Sequence, residues 1–315
     1  MNAVVLKNFG SVDQLKLKQI KRPEINENEV LIKVKVFSIN PVDIKTRQGE
    51  AMASRLKHYD PLILGWDVAG VISKLGKNVN TFKVGDPVFG MLNFIGHGQA
   101  YAEYVAAPVD QIAKIPPQIS FAQAAASTLA ALTAWQAFTY YGKLKKDDKV
   151  LIHGASGGVG HFAVQIAKYL CAYVIGTSSV KNRDFVLSLG ADQHVDYNTQ
   201  KFEDSYSNLD FVLESIGNEN FQKSVKTLKK GGTIINLPSG HTKADEHAAE
   251  AKNLKANYFM SVFSDGKHMQ KIADLLEAEL LIPNIGAVFK FNQIQEAHLH
   301  LEHGGVRGKI IVEID

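Results

Sequence analysis

Leu151–Gly160 reads LIHGASGGVG and runs without a break into HFAVQIAKYL. Gly154, Gly157, Gly158 and Gly160 crowd into seven residues between an apolar run and an amphipathic one. KVLIHG has the character of a short buried strand and GHFAVQIAKYL that of a helix, so ASGGVG is the turn between them. A backbone that bends sharply and approaches a pyrophosphate carries no Cβ at the contact points. The following helix offers free N–H groups and the positive end of its dipole. Gly157 and Gly160 take the second and third glycine places of G-x-G-x-x-G, with Ala155 in the first. Ser156, Gly157, Gly158 and Val159 are therefore expected to cradle the phosphates of a dinucleotide.

The surroundings fit that turn. Downstream, AYVIGTS, KNRDFVLSLG, DFVLESIG, the helix around FQKSVKTLKKGG and the strand TIINLP alternate strand with helix. That alternation implies βαβ units and a parallel sheet covered on both faces. Upstream, FAQAAASTLAALTAWQAFTYYG has helical spacing after a candidate cap at Ser120. Before it the chain reads as β, with period-2 alternation around Val30–Phe37 and a turn at Gly85–Pro87. After about Lys267 come HMQKIADLLEAELL, a break at Pro283, the helix NQIQEAHLHLEH and a last strand, KIIVEI. The fold class is α/β: a doubly wound Rossmann sheet over 121–263, and a β-rich domain from 1–120 and 264–315.

Composition narrows the function classes. The chain has 315 residues, enough for two domains, with 45% hydrophobic and 21% charged residues. A net charge of +3 without a lysine–arginine cluster argues against nucleic acid as a partner. No run approaches a membrane span, and MNAVVLKNFG is too short and charged for a signal segment. The single cysteine, Cys171, forms no internal disulfide and reads as a small buried hydrophobe. A cytoplasmic enzyme acting on a small molecule is the expectation.

The second strand selects the cofactor. An NAD site places Asp or Glu about 20 residues beyond the glycines, on the ribose 2′-hydroxyl. Here that place falls in TSSVKNR, and no carboxylate appears before Asp184. Thr177, Ser178 and Ser179, with Lys181 and Arg183, suit a 2′-phosphate instead, so the cofactor is expected to be NADPH.

Several stretches together resemble the zinc-independent quinone oxidoreductases of the medium-chain dehydrogenase/reductase superfamily. They are NPVDIKTRQG (Asn40–Gly49), GWDVAGVI (Gly65–Ile72), GDPVFG (Gly85–Gly90), HGASGGVG, LTAWQAF, SLGAD and the closing GKIIV. The wording of HGASGGVGHFAVQIAK and KNRDFVLSLGAD is closest to the enone and alkenal oxidoreductase branch. The resemblance implies a GroES-like β-rich catalytic domain and a homodimer. It also implies that no catalytic zinc is held, since Val42 and Trp66 stand where zinc-dependent relatives carry Cys and His. HLHLEH (His298–His303) reads as a solvated helix face rather than a metal site.

The same resemblance assigns roles. Asn40 lies near the nicotinamide, with Asp43 and Arg47 either catalytic or paired to hold its loop. Thr133 and Val262 approach the nicotinamide half, and Tyr197 the adenosine phosphate; Ile216 and Leu237 follow strand ends, where open α/β sheets bind ligands, and equally read as core. A substrate cleft between the domains draws its apolar candidates from Met52, Trp66, Phe94, Tyr101, Tyr258 and Phe263, each of which also reads as core. The implied reaction is reduction of quinones or α,β-unsaturated carbonyls. Reduction of 2-enoyl thioesters and a non-catalytic NADPH-binding sensor remain alternatives.

Overall fold

The computed structural model describes residues 1–314. They form two compact units, one of Met1–Leu132, Phe263–Glu279 and the chain from Pro283 on, the other of Thr133–Val262 with Leu280–Ile282.

The first unit opens with β1 (Asn2–Leu6) and β2 (Leu15–Gln19), an antiparallel pair. Next come β3 (Glu29–Ile39), α1 (Pro41–Arg47), α2 (Ala53–Leu56), β4 (Asp67–Leu75), β5 (Pro87–Met91), β6 (Tyr104–Pro108) and β7 (Ile112–Lys114). In β3, Ile32, Val34 and Val36 are buried and alternate with exposed Lys33 and half-exposed Lys35, but Leu31 and Phe37 are buried as well, so the expected wet face is confined to the middle of the strand. α3 (Phe121–Ala126) starts at Ser120, whose hydroxyl accepts from the Gln123 N–H at 3.2 Å. Its alanines pack on β3 and β4, so 121–132 belong with the β-rich unit and not with the sheet that follows. The helix expected from Phe121 to Gly142 is interrupted. It breaks at Ser127–Thr128, resumes as α4 (Leu129–Gln136) and widens to a π turn over Ala137–Tyr141.

The second unit alternates as read: β8 (Lys149–Ile152), α5 (Gly160–Tyr169), β9 (Tyr173–Ser178), α6 (Arg183–Ser188), β10 (Gln193–Asp196), α7 (Phe202–Ser205) and β11 (Leu209–Glu214). It continues with α8 (Glu219–Thr227), β12 (Leu228–Asn236), α9 (Lys243–Ala251) and β13 (Lys255–Asn257). The strands run in the order β10-β9-β8-β11-β12-β13, all parallel. Ligands in such sheets lie outside the carboxyl ends where the order reverses, here between β8 and β11. α8 ends at Thr227, so Leu228–Lys230 belong to a strand and not to the expected helix. The polar helix α9, capped by Thr242, carries too little apolar periodicity to be read from KADEHAAEA.

The return to the first unit supplies α10 (Gly266–Glu277), β14 (Ile285–Lys290), α11 (Ile294–His303) and β15 (Lys309–Glu313). Its sheet runs β14-β15-β3-β4-β5-β7, with β6 also paired to β3. Two expectations change. Cys171 is exposed, because the chain leaves α5 through it in a left-handed turn at φ 61°. His298 is buried on the inner face of α11, 3.2 Å from the Tyr101 hydroxyl. Among the described residues no helix is long and apolar enough to cross a membrane.

Candidate functional site

The glycine loop leaves β8 at its carboxyl end. Gly154 takes φ +60°, a left-handed conformation that starts the turn. Gly160 is required by the loop itself, since a Cβ there would overlap the Gly154 carbonyl and stand 2.7 Å from Ala155 Cα. Gly157 differs. A Cβ on it would meet only the Gly154 oxygen, at 3.3 Å, so packing within the chain does not demand a glycine there. The Gly157 carbonyl is turned into α5, accepting from the His161 N–H at 3.1 Å and lying 2.9 Å from His161 Nδ1. A trans peptide then points the Gly158 N–H the opposite way, beside the first N–H groups of α5. Asn182 ties Ser156 into the loop, donating to its hydroxyl at 3.0 Å.

At the end of β9 the candidate hydroxyls divide. Thr177 is buried with its hydroxyl 3.2 Å from His153 Nδ1, and Ser178 is buried 2.8 Å from His194 Nε2. Both are engaged inside the sheet, contrary to the expectation that they face a phosphate. Ser179 is half-buried, whereas Lys181 and Arg183 are exposed. Tyr197 is exposed, and its N–H donates to the Ser178 carbonyl at 3.3 Å.

At the end of β11 the buried Glu214 organises the turn. Its Oε1 accepts from the N–H groups of Ile216 at 2.7 Å and Gly217 at 3.0 Å. Its Oε2 accepts from Asn220 Nδ2 at 2.8 Å and the Ser224 hydroxyl at 2.7 Å. Ile216 is left exposed, and the Leu237 N–H donates to the Glu214 carbonyl at 2.9 Å. Thr133 and Val262 are buried. The ends of β8, β9, β10 and β11 thus bring Ser156–Val159, Ser179, Lys181, Tyr197 and Ile216 to one edge of the second unit.

In the first unit, Asn40 caps α1 at the head of a buried polar cluster. Its N–H donates to Asp43 Oδ2 at 2.7 Å. Its side-chain Nδ2 donates to Asp67 Oδ2 at 2.7 Å, and its Oδ1 accepts from the Lys309 ammonium. Asp67 also accepts from the Ser38 hydroxyl at 2.6 Å and the Leu129 N–H at 2.9 Å. The Asn40 amide oxygen thus accepts from Lys309 with one of its two lone pairs, and one amide hydrogen remains beside the bond to Asp67. Asp43 and Arg47 do not form the expected pair: Arg47 binds Glu302 and the Gly10 carbonyl. Neither sequence periodicity nor spacing marks Lys309 or Asp67 as partners; the available signal is that each is a charge at the head of an apolar strand.

Burial pushes the Asp43 carboxyl up to about 8, with Asp67 adding to the effect. Burial pushes His298 down to about 3, assisted by Arg47. For Asp43 the folded chain holds its proton where the unfolded chain releases it. Stability is thus lost as pH rises from about 4 to about 8, by up to about 1.4 kcal/mol per unit, and no further above that. Asp43→Asn removes this slope. In urea titrations its stability relative to the wild type should climb from pH 5 to pH 8; a constant difference would contradict a protonated Asp43.

Of the apolar candidates, Trp66 and Tyr101 belong to the core of the first unit. The Trp66 indole donates to the Gly96 carbonyl at 2.8 Å, and Tyr101 stacks on Phe37 at 4.6 Å. Met52, Phe94 and Phe263 are half-buried in the first unit, and Tyr258 is half-buried against Phe221 in the second.

Residues 26–117 match the family of alcohol dehydrogenase GroES-like domains, and residues 189–312 the family of zinc-binding dehydrogenases. The 2-methylene-furan-3-one reductase of Solanum lycopersicum is 34% identical over 99% of this chain and 79% of its own length. The chain belongs to the quinone and enone oxidoreductases of the medium-chain dehydrogenase/reductase superfamily. The chloroplastic NADPH-dependent alkenal/one oxidoreductase of Arabidopsis thaliana is 33% identical over 99% of this chain and 79% of its own length. The solved quinone oxidoreductase of Coxiella burnetii superposes with a TM-score of 0.94 at 35% identity, covering 100% of this chain and 99% of that one.

Among the described residues no three His, Cys, Asp or Glu side chains converge as ligands, and the only cysteine follows α5 in the dinucleotide unit.

Proposed function

We propose that this chain, an NADPH-dependent oxidoreductase, reduces quinones or α,β-unsaturated carbonyl compounds by direct hydride transfer without a metal ion. The observation that carries the reading is Gly157, a glycine at the mouth of a strand–loop–helix whose Cβ position would touch only the Gly154 carbonyl oxygen. Bound NADPH supplies the hydride, and the chain supplies binding, orientation and a dry surface.

The N–H groups of Ser156, Gly158 and Val159 and the start of α5 hold the pyrophosphate, while the Gly157 N–H closes the loop on the Gly154 carbonyl at 2.9 Å. Ser179, Lys181 and Arg183 take the 2′-phosphate, with Tyr197 beside it, while Thr177 and Ser178 shape the strand end from within. Ile216, Leu237, Val262 and Thr133 line the nicotinamide half. Asn40 offers its remaining amide hydrogen to a ribose hydroxyl, the acceptor or an ordered water. Asp43 and Arg47 position the Asn40 loop. Hydride addition to a quinone or to the β-carbon of an enone places negative charge on the acceptor oxygen, and a proton from solvent completes the two-electron reduction.

The relatives named above reduce furanone and alkenal double bonds or quinones by their names, which is what favours these two acceptor classes. The test is NADPH oxidation with an ortho-quinone and a short 2-alkenal in parallel. Turnover of either supports the reading, and the ratio of kcat/KM values selects the class. Tight NADPH binding with no turnover of both acceptors would overturn it in favour of a sensor.

A further inference from the structure

We propose that His153 and Ser224 are positioning residues for NADPH, joining the glycine loop, the end of β9 and the Ile216–Gly217 turn into one hydrogen-bonded unit. This rests on the reading that the chain binds NADPH at that edge.

The bonding order follows from Glu214. Its carboxylate receives four donors, two backbone N–H groups, the Asn220 amide and the Ser224 hydroxyl, so Ser224 spends its only proton there. Toward His153 Nε2, 2.9 Å away, Ser224 has only lone pairs to offer. Nε2 must carry the hydrogen and donate. The imidazole is neutral: burial holds its pKa below the usual histidine range, although Glu214 and Glu203 both favour the charged form. Nδ1 is then an acceptor, and the Thr177 hydroxyl 3.2 Å away is the donor. The Phe202 ring packs against the imidazole at a steep angle, with the ring centroids 4.7 Å apart.

The chain of bonds therefore runs one way, from Thr177 to His153 to Ser224 to Glu214, and the same carboxylate fixes the turn bearing Ile216. Backbone bonds complete the frame. The Ser215 hydroxyl donates to the His153 carbonyl at 2.8 Å, and the Ala155 N–H to the Thr177 carbonyl at 2.9 Å. Three cofactor-facing segments, separated by tens of residues in sequence, are thus set by one imidazole. A further consequence is chemical. With its proton committed to His153, Thr177 has none to give to a ribose phosphate, which leaves that task to Ser179, Lys181 and Arg183.

Ser224→Ala cuts the chain in its middle while keeping both His153 and Glu214; His153→Phe keeps the ring and removes both nitrogens. NADPH fluorescence titration should show a Kd about tenfold higher in Ser224→Ala, with KM for NADPH rising more than kcat falls. Long-range proton–nitrogen NMR of the wild type should show His153 only as the Nε2–H form from pH 6 to pH 8. A role confined to stability would lower the melting temperature and leave Kd within twofold in both variants, which overturns the positioning role. An Nδ1–H or protonated His153 at neutral pH overturns the bonding order. Should His153→Phe not fold, Ser224→Ala and the tautomer decide the matter. Wild-type protein that binds no NADPH, yet shows the Nε2–H form, overturns the proposed function and the positioning role together; binding that the variants do not change overturns the positioning role alone.

Discussion

Gly157→Val is expected to abolish NADPH binding while the protein still folds. The two halves of that expectation have separate causes. Folding survives because a Cβ at this position meets one carbonyl oxygen at 3.3 Å, a contact relieved by a shift of a few tenths of an ångström. Its φ lies outside the left-handed region, so a side chain adds no backbone strain. Binding fails because the isopropyl group fills the space where the pyrophosphate must approach the backbone within hydrogen-bonding distance. We expect at least a 100-fold rise in Kd, about 2.7 kcal/mol, against a small change in melting temperature. Gly160→Ala is the control of opposite character. Its Cβ would overlap the Gly154 carbonyl inside the loop, so stability falls along with binding. Gly157→Val protein with near wild-type NADPH affinity would remove the phosphate cradle from this loop.

The second large effect belongs to Lys309. Its ammonium is buried, donates to the Ile39 carbonyl at 2.9 Å and to Asn40 Oδ1, and stands 3.9 Å from Asp67 Oδ2. Burial alone lowers its pKa, while Asp67 and Asp43 act to restore it. Lys309→Met keeps the aliphatic stem and removes the charge, leaving a buried carboxylate and two acceptors short of a donor. Removal of one partner of a buried ion pair costs about 3–5 kcal/mol, more than the pair itself contributes. The loss falls on the first unit. Trp66 lies there and Trp135 in the second, so urea unfolding followed in a Trp135→Phe background reports the first unit alone. Pairing Lys309→Met with Asp67→Asn should recover part of the loss by removing the stranded charge. A change under about 1 kcal/mol in Lys309→Met would mean that the cluster does not hold Asn40 by charge.

The second unit was legible because its signals are local. Strand, glycine turn and helix lie within thirty residues, and the spacing of βαβ units repeats along the chain. The break at Ser127–Thr128 was not legible, since alanines and leucines continue the helical pattern across it; Thr128 instead bonds back to the Ala125 carbonyl at 2.9 Å. The inward turn of Thr177 was hidden for a different reason. A hydroxyl at a strand end faces either the ligand or the neighbouring strand, and only the imidazole of His153, twenty-four residues away, settles which. Asp67 and Lys309 lie 27 and 269 residues from Asn40 in the sequence. No periodicity links such distant positions; a charge at the head of an apolar strand marks Asp67 and Lys309 as needing a partner without naming it, and nothing marks Asn40. Cys171 was misread through composition, because its apolar neighbours belong to a helix end and a new strand while the residue itself forms the exposed corner between them.

The central claim is that hydride passes directly from NADPH to the acceptor on this chain. It is tested most directly with NADPH carrying deuterium at the transferred position of the nicotinamide, a 2-alkenal acceptor and mass spectrometry of the product, in buffer containing a strong metal chelator. The account predicts one deuterium on the β-carbon of the saturated aldehyde, a hydrogen from water on the α-carbon, and a rate unaffected by the chelator. Product without deuterium, or loss of turnover on chelation, would contradict it.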